Sequence, residues 1–124
     1  MNLANSNRAD IARAMIEGML CGLVDAVVAL EKLGVGVQRI LLIGGAAKNP
    51  GVAPIASALF GREVLIPPAG EYVADGAAKQ AAWALLGGTS APRWDLGSVA
   101  SVNQKATPHV VDQYRVLRDQ TENW

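Results

Sequence analysis

Apolar positions recur at helical spacing from residue 7 to residue 33, the longest periodic stretch in the chain. Asn7 stands where an N-cap belongs, Asp10 falls at the third helical position near the positive end of the dipole, and Gly34 supplies the stop. Arg13 and Glu17 are one turn apart and can pair on the exposed side. From 18 to 30 the single charged residue is Asp25, so protein should cover most of that circumference. Gly18 and Gly22 share a face and would let another element come close. That surface should be buried by self-association or by the C-terminal tail packing across it.

The turn Gly34-Val35-Gly36 leads to a strand at 39–43, whose apolar run is of the type buried on both faces of a parallel sheet. A second helix is expected over 50–59, with Asn49 at the N-cap and Pro50 at the first helical position. Pro54 removes a backbone donor in its first turns, so this helix should bend or start late. Gly61 ends it, and 63–66 is a short strand closed by Pro67-Pro68. A third helix spans 71–86. Ala74, Ala77, Ala78, Ala81 and Ala82 leave one side almost without bulk, ready to lie close to a sheet or helix, and Asp75 and Lys79 can pair on the outer side. Gly87-Gly88 terminates it. No period is visible over 89–106, where Pro92 and Trp94 are the expected anchors. Thr107 and Pro108 then read as a cap and first helical residue, followed by the stripe Val110, Val111, Tyr114 and Leu117.

The order helix, strand, helix, strand, helix and tail helix argues for an α/β layer with parallel strands. The division expected is a body over 1–88 and a tail over 89–124. Two strands are too few for a self-sufficient sheet, so the chain reads as part of something larger.

Eleven basic residues balance eleven acidic ones in 124 residues, which leaves no electrostatic footprint for nucleic acid or an anionic membrane. Glu17 and Asp25 interrupt the one stretch that approaches a membrane span. Met1-Asn2-Leu3-Ala4-Asn5 lacks the basic start and apolar core of a signal peptide. The lone Cys21 has no partner for an internal disulfide. A cytoplasmic protein is expected.

Candidate chemistry is confined to one place. The strand ends in Gly44-Gly45, and Ala46-Ala47-Lys48-Asn49-Pro50 carries the chain into a helix. A strand, a tight glycine turn and a helix start make a place where a nucleotide can rest. Equally, such a turn can need glycine for its own shape. His109 has no Cys or His at ligand spacing, so no metal site is expected, and no serine sits in a nucleophile elbow. Glu71 and Asp75 open the third helix, where acidic residues complement the dipole. No residue has the setting of a general base, so no catalytic residue is assigned.

Three blocks of the sequence carry a resemblance. Arg8-Ala9-Asp10-Ile11-Ala12-Arg13-Ala14-Met15-Ile16-Glu17-Gly18 resembles the helix that opens the final segment of the FGGY carbohydrate kinases. Ile43-Gly44-Gly45-Ala46-Ala47-Lys48-Asn49-Pro50 resembles their adenosine motif, and Glu71-Tyr72-Val73-Ala74-Asp75-Gly76-Ala77-Ala78 their acidic entry to a Gly-Ala-Ala helix. The blocks come in family order and cover residues 3–88; the first block and the tail are most similar to the xylulokinase branch. The resemblance implies a fragment of an actin-like (ribonuclease H-like) ATPase lobe, with ATP between two lobes and the sugar deeper in the cleft. It implies Gly44, Gly45 and Ala46 against the adenosine and first phosphate, and a hydrogen bond from Asn49 to the nucleotide in competition with capping. ATP and Mg²⁺ would be the parent enzyme's cofactors. The sugar lobe, the phosphate-binding hairpin and the activating aspartate have no counterpart here, so the fragment alone should be inactive. Ala46-Ala47 and Pro54 depart from the family pattern. A kinase for glycerol, gluconate or ribulose, or a non-catalytic α/β interaction module, stays open.

Overall fold

The computed structural model describes residues 6–95 and 97–121. The opening Met1–Asn5 segment lies outside the described residues, as do Leu96 and the last three positions. Helix α1 runs Arg8–Lys32, and its start is built as its sequence directs: the Asn7 Oδ1 accepts the backbone N–H of Asp10 at 2.9 Å. Arg13 Nε donates to Glu17 Oε1 at 2.7 Å along one turn. Gly34, at φ +85°, follows the end of the helix.

Strand β1 is only Ile40–Leu41, shorter than the 39–43 expected. One further ladder bond follows, from Leu42 N–H to the Leu65 carbonyl at 2.8 Å, before Gly44 turns the chain away at φ +91°. The run is not buried on both faces, since Leu41 and Ile43 are exposed. A 3₁₀ turn occupies Gly45–Lys48, and helix α2 is Val52–Phe60. The late start expected from Pro54 is therefore found. Pro54 becomes the third helical residue, where its missing N–H would have had no intrahelical partner. Asn49 consequently does not cap this helix: its Oδ1 accepts the Gly51 N–H at 2.9 Å, and Gly51 takes the cap position.

Strand β2, Val64–Ile66, pairs in parallel with β1. Helix α3, Tyr72–Leu86, ends at left-handed Gly87 as expected, but it buries no residue. Its alanine face meets no other element closely, and the ion pairs of the described residues involve Arg13, Arg62, Arg115 and Arg118 rather than Asp75 with Lys79. Strand β3, Ala100–Val102, was not anticipated; it pairs antiparallel with β2 and completes the order β1-β2-β3. Trp94 is 45% exposed and does not anchor its segment.

Helix α4, Pro108–Thr121, packs across α1 and α2. Val111 is buried and Val110 and Tyr114 pack on the core, while Leu117 is exposed. The Thr107 hydroxyl caps nothing: Oγ1 is buried without a hydrogen-bond partner, and its backbone N–H instead donates to the Ala58 carbonyl at 2.9 Å. Asp25, the lone charge of the apolar stretch, accepts from Arg115 Nε at 2.9 Å and also pairs with Arg118. Tail packing over α1 thus occurs, and the Tyr114 hydroxyl lies 3.6 Å from where a Gly22 Cβ would sit. The cover is incomplete, however. Only Leu20, Cys21 and Val24 of α1 are buried, and Met15, Met19, Leu23 and Leu30 stay exposed.

Six of the nine residues of α2 are buried, and with Leu20, Cys21, Val24, Val64 and Val111 they make the core. Ser57 is the one buried polar residue among those described. Its hydroxyl donates to the Arg62 carbonyl and accepts the Gln104 N–H, each at 2.9 Å, tying α2 to the turns before β2 and after β3. Replacing Ser57 by alanine leaves both backbone groups unpaired in a buried setting. The expected cost is about 2 kcal/mol in urea-induced unfolding. A loss below a few tenths would mean that water takes over both bonds.

Candidate functional site

The glycine turn opens on a cavity of about 430 Å³ at the carboxyl ends of β1 and β2. Leu42, Ile43, Gly44, Gly45, Ala47 and Lys48 form one side; the loop from Ile66 to Tyr72 forms the other. Crevices outside the carboxyl ends of neighbouring parallel strands are where open α/β sheets take their ligands. Here both strands end in residues that suit this. Gly44 terminates β1 and Pro67-Pro68 terminates β2, so neither chain crosses the opening.

The two glycines play different parts. Gly44 has φ +91° and ψ −176°, a conformation open essentially to glycine alone. Gly45 has no such constraint, and a Cβ built on it would meet nothing within 4 Å. Gly44 is therefore needed by the turn, whereas Gly45 keeps space clear on the cavity side. On the opposite wall the Tyr72 ring lies against Gly70, and its hydroxyl donates to the Pro68 carbonyl, closing the loop on itself. Glu71 occupies the N-cap position of α3 without a side-chain capping bond; only its carbonyl is engaged, by the Asp75 N–H at 2.9 Å.

Of the four residues expected at the site, Gly44 and Gly45 line the cavity and Ala46 and Asn49 do not. Ala46 is exposed on the 3₁₀ turn, and Asn49 spends its oxygen on Gly51. Lys48, Glu71 and Tyr72 line the cavity and were not placed there from sequence. Glu71 stood out as the opening of a helix, but only the parallel pairing of β1 and β2 brings it opposite Lys48. The cavity thus offers one cation, one carboxylate and an aromatic ring. No cluster of three metal-ligating side chains occurs among the described residues. Burial pushes the Cys21 thiol up from its ordinary pKa, helped by Glu17 and Asp25, which suits a core residue and not a nucleophile. No helix of the described residues is long and apolar enough to cross a membrane.

The FGGY family of carbohydrate kinases, C-terminal domain, matches residues 2–85. The crystal structure of xylulose kinase from Bifidobacterium adolescentis is similar with a TM-score of 0.76 and 41% sequence identity. That likeness covers 95% of this chain and 23% of that one, so the chain spans less than a quarter of its relative's length. No curated protein matches the chain. The chain belongs to the FGGY carbohydrate kinase family and corresponds to its C-terminal domain. The α/β fold expected of part of an actin-like ATPase lobe is the fold observed, with a third, antiparallel strand added.

The contrast between the glycines gives a paired prediction. Gly44→Ala should destabilise the chain by about 1–3 kcal/mol through backbone strain. Gly45→Ala should leave the melting temperature unchanged and weaken binding of ADP, read by calorimetry. Equal thermal stability of the two variants would contradict the turn geometry.

Proposed function

We propose that the chain is the nucleotide-binding part of an ATP-dependent sugar kinase that phosphorylates D-xylulose, giving D-xylulose 5-phosphate and ADP. The observation that carries this reading is the Gly44-Gly45 turn opening on a cavity at the carboxyl ends of a parallel strand pair, in a chain of this family. Gly45 leaves room for the phosphates to approach the backbone, and Lys48 supplies a cation on the same wall. Ala46 and Asn49 complete the turn beside it. The Asn49 oxygen is held by Gly51, so its amide nitrogen is the group that would reach a nucleotide.

Phosphoryl transfer rests on positioned phosphates, a divalent cation and an oriented hydroxyl. Mg²⁺ rides mainly on phosphate oxygens and takes few carboxylates from protein, and Glu71 is the one carboxylate on the cavity wall. The residues present fit that limited role. Nothing here orients or deprotonates a sugar hydroxyl; those tasks fall to a lobe outside this chain, and the chain alone has no kinase activity. ATP, ADP and the sugar are its small-molecule partners, and the cytoplasm is its compartment. The segments 1–88 and 89–124 act as a nucleotide-binding body and a bracing tail. The exposed α1 residues Ile11, Met15, Met19 and Leu23 are one turn apart and favour a protein neighbour, either the rest of the kinase or a second copy. Xylulose is preferred over glycerol, gluconate or ribulose because the similar solved structure is a xylulose kinase.

A chimera tests the assignment. This chain replaces the matching segment of the Bifidobacterium adolescentis enzyme, and ATP-dependent phosphorylation of the four sugars is assayed. Retained activity on D-xylulose, lost with Gly45→Val, is the expected result; a folded but inactive chimera would count against it. Separately, Asn49→Asp keeps the acceptor for Gly51 and should melt with the parent chain. It should bind ADP more weakly, having exchanged an amide donor for a negative charge. Undiminished ADP affinity would remove Asn49 from the site.

A further inference from the structure

A small cavity, of about 190 Å³, opens between α1, α2 and the segment that leads from β3 to α4. It shares no residue with the cavity at the glycine turn. Strand β3 runs antiparallel to β2 with Val102 opposite Val64, so the segment after it emerges at the amino end of β2. The glycine turn lies at the other end of the sheet, where β1 and β2 finish. The volume falls below the roughly 300 Å³ at which pockets for whole small molecules begin. It suits a single polar group.

The charge on its walls has one sign. Arg13 comes from α1 and Lys105 from the β3–α4 segment, Pro54 and Ala58 of α2 supply apolar surface, and no carboxylate lines it. Glu17 holds Arg13 through Nε at 2.7 Å, and the two terminal guanidinium nitrogens are further donors. Lys105 makes no ion pair among the described residues. Its backbone is nevertheless fastened to α2 on both sides: the Gln104 N–H donates to Ser57 Oγ and the Thr107 N–H to the Ala58 carbonyl, each at 2.9 Å. Thr107 also lines the cavity, and its Oγ1 is buried without a hydrogen-bond partner. A buried hydroxyl left unpaired costs stability, so the fold alone gains nothing from it. Helix α4 starts at the next residue with no acidic side chain in its first turn, which leaves the positive end of its dipole unopposed there.

We propose that this cavity binds a phosphate group, as inorganic phosphate or as the phosphate of a phosphomonoester. The inference does not depend on the nucleotide reading above. Arg13 and Lys105 offer charge-assisted donors from two elements. The Thr107 hydroxyl, turning about its Cα–Cβ bond, donates to a phosphate oxygen and gains the partner it lacks. Donors that meet from different directions suit a tetrahedral anion better than a planar carboxylate. A phosphate held there bridges α1 to the segment that carries α4. It therefore strengthens the docking of the tail, which otherwise rests on Val111 in the core and on the pairs that Arg115 and Arg118 make with Asp25.

Amide NMR titration of the chain with inorganic phosphate, methyl phosphate and sodium chloride at matched ionic strength tests this. Saturable shifts at Lys105 and Thr107 with phosphate, and none with chloride, are the expected result. Equal binding of methyl phosphate marks a phosphomonoester as the ligand, and binding of inorganic phosphate alone marks the free ion. Arg13→Gln and Lys105→Gln should each weaken binding about fivefold, the strength of one exposed charge pair. Lys32→Gln, which removes an exposed cation outside the cavity, should leave it as it is. Thr107→Val guards against misfolding: it should raise the melting temperature and still weaken phosphate binding, a combination that general damage does not produce. Phosphate shifts confined to Gly44, Gly45 and Lys48 would overturn the site and leave the glycine turn standing. Shifts that chloride reproduces would overturn it as well, as would undiminished affinity in the Arg13, Lys105 and Thr107 variants.

Discussion

Burial of α2 is the constraint on which the rest of the structure depends. A helix of nine residues is too short to persist in water on its own propensity. It persists because α1, α4, β2 and β3 all close on it. Its small residues, Ala53, Ala56, Ser57 and Ala58, let those elements come near. Ser57 is the price of that closeness, a buried hydroxyl whose donor and acceptor sides are both used by backbone. The same helix sets the site, because it carries the chain from the end of β1 to the start of β2 and so fixes which strand ends lie side by side. The glycine turn and the Pro67–Tyr72 loop face each other as a consequence of α2 being packed, not through any contact of their own.

Around that core the chain is covered unevenly. It exposes 9047 Å², against about 6300 Å² for a compact monomer of its 12.9 kDa mass. The excess is not spread at random. Met15, Met19 and Leu23 on α1 and Val73, Leu85 and Leu86 on α3 are all at least half exposed. Asp25 escapes this pattern because Arg115 and Arg118 of α4 close over it, which shows what a docked helix does to one side of α1. Among the described residues the opposite side has no such partner. Such surfaces are of the kind proteins place against other protein, in keeping with a chain that matches 23% of its structural relative.

What could be read from sequence was whatever one residue or one turn decides. The Asn7 cap, the Arg13–Glu17 pair, the delayed start of α2 at Pro54, and the stops at Gly61 and Gly87 depend on neighbours within four positions. Strand β3 was not legible, because Ala100-Ser101-Val102 has no strand character apart from the β2 edge it pairs with. The cover of α1 was legible only in part, for a related reason. An apolar pattern tells which side chains avoid water, not whether a partner is there to cover them. At the site, Gly44 and Gly45 could be singled out because a glycine pair after an apolar run marks a sharp turn at the end of a strand, whether or not a ligand lies there. Lys48, Glu71 and Tyr72 were not, since their shared cavity exists only once β1 and β2 lie in parallel. Asn49 was assigned a cap that the Pro50-Gly51 turn displaces by two residues.

Two glycines, Gly44 and Gly76, separate what the fold demands from what lies outside it. Gly44 adopts a backbone conformation that a side chain would strain, so its identity is explained within the chain. Gly76 sits in a regular helix with empty space where its Cβ would be, and alanine there would stabilise this chain. A residue that the fold itself would replace points to something the fold does not contain. Gly45 too has empty space where its Cβ would be, on the wall of the cavity at the glycine turn. Their common feature is not flexibility but clearance: each holds open the volume of a side chain facing a groove.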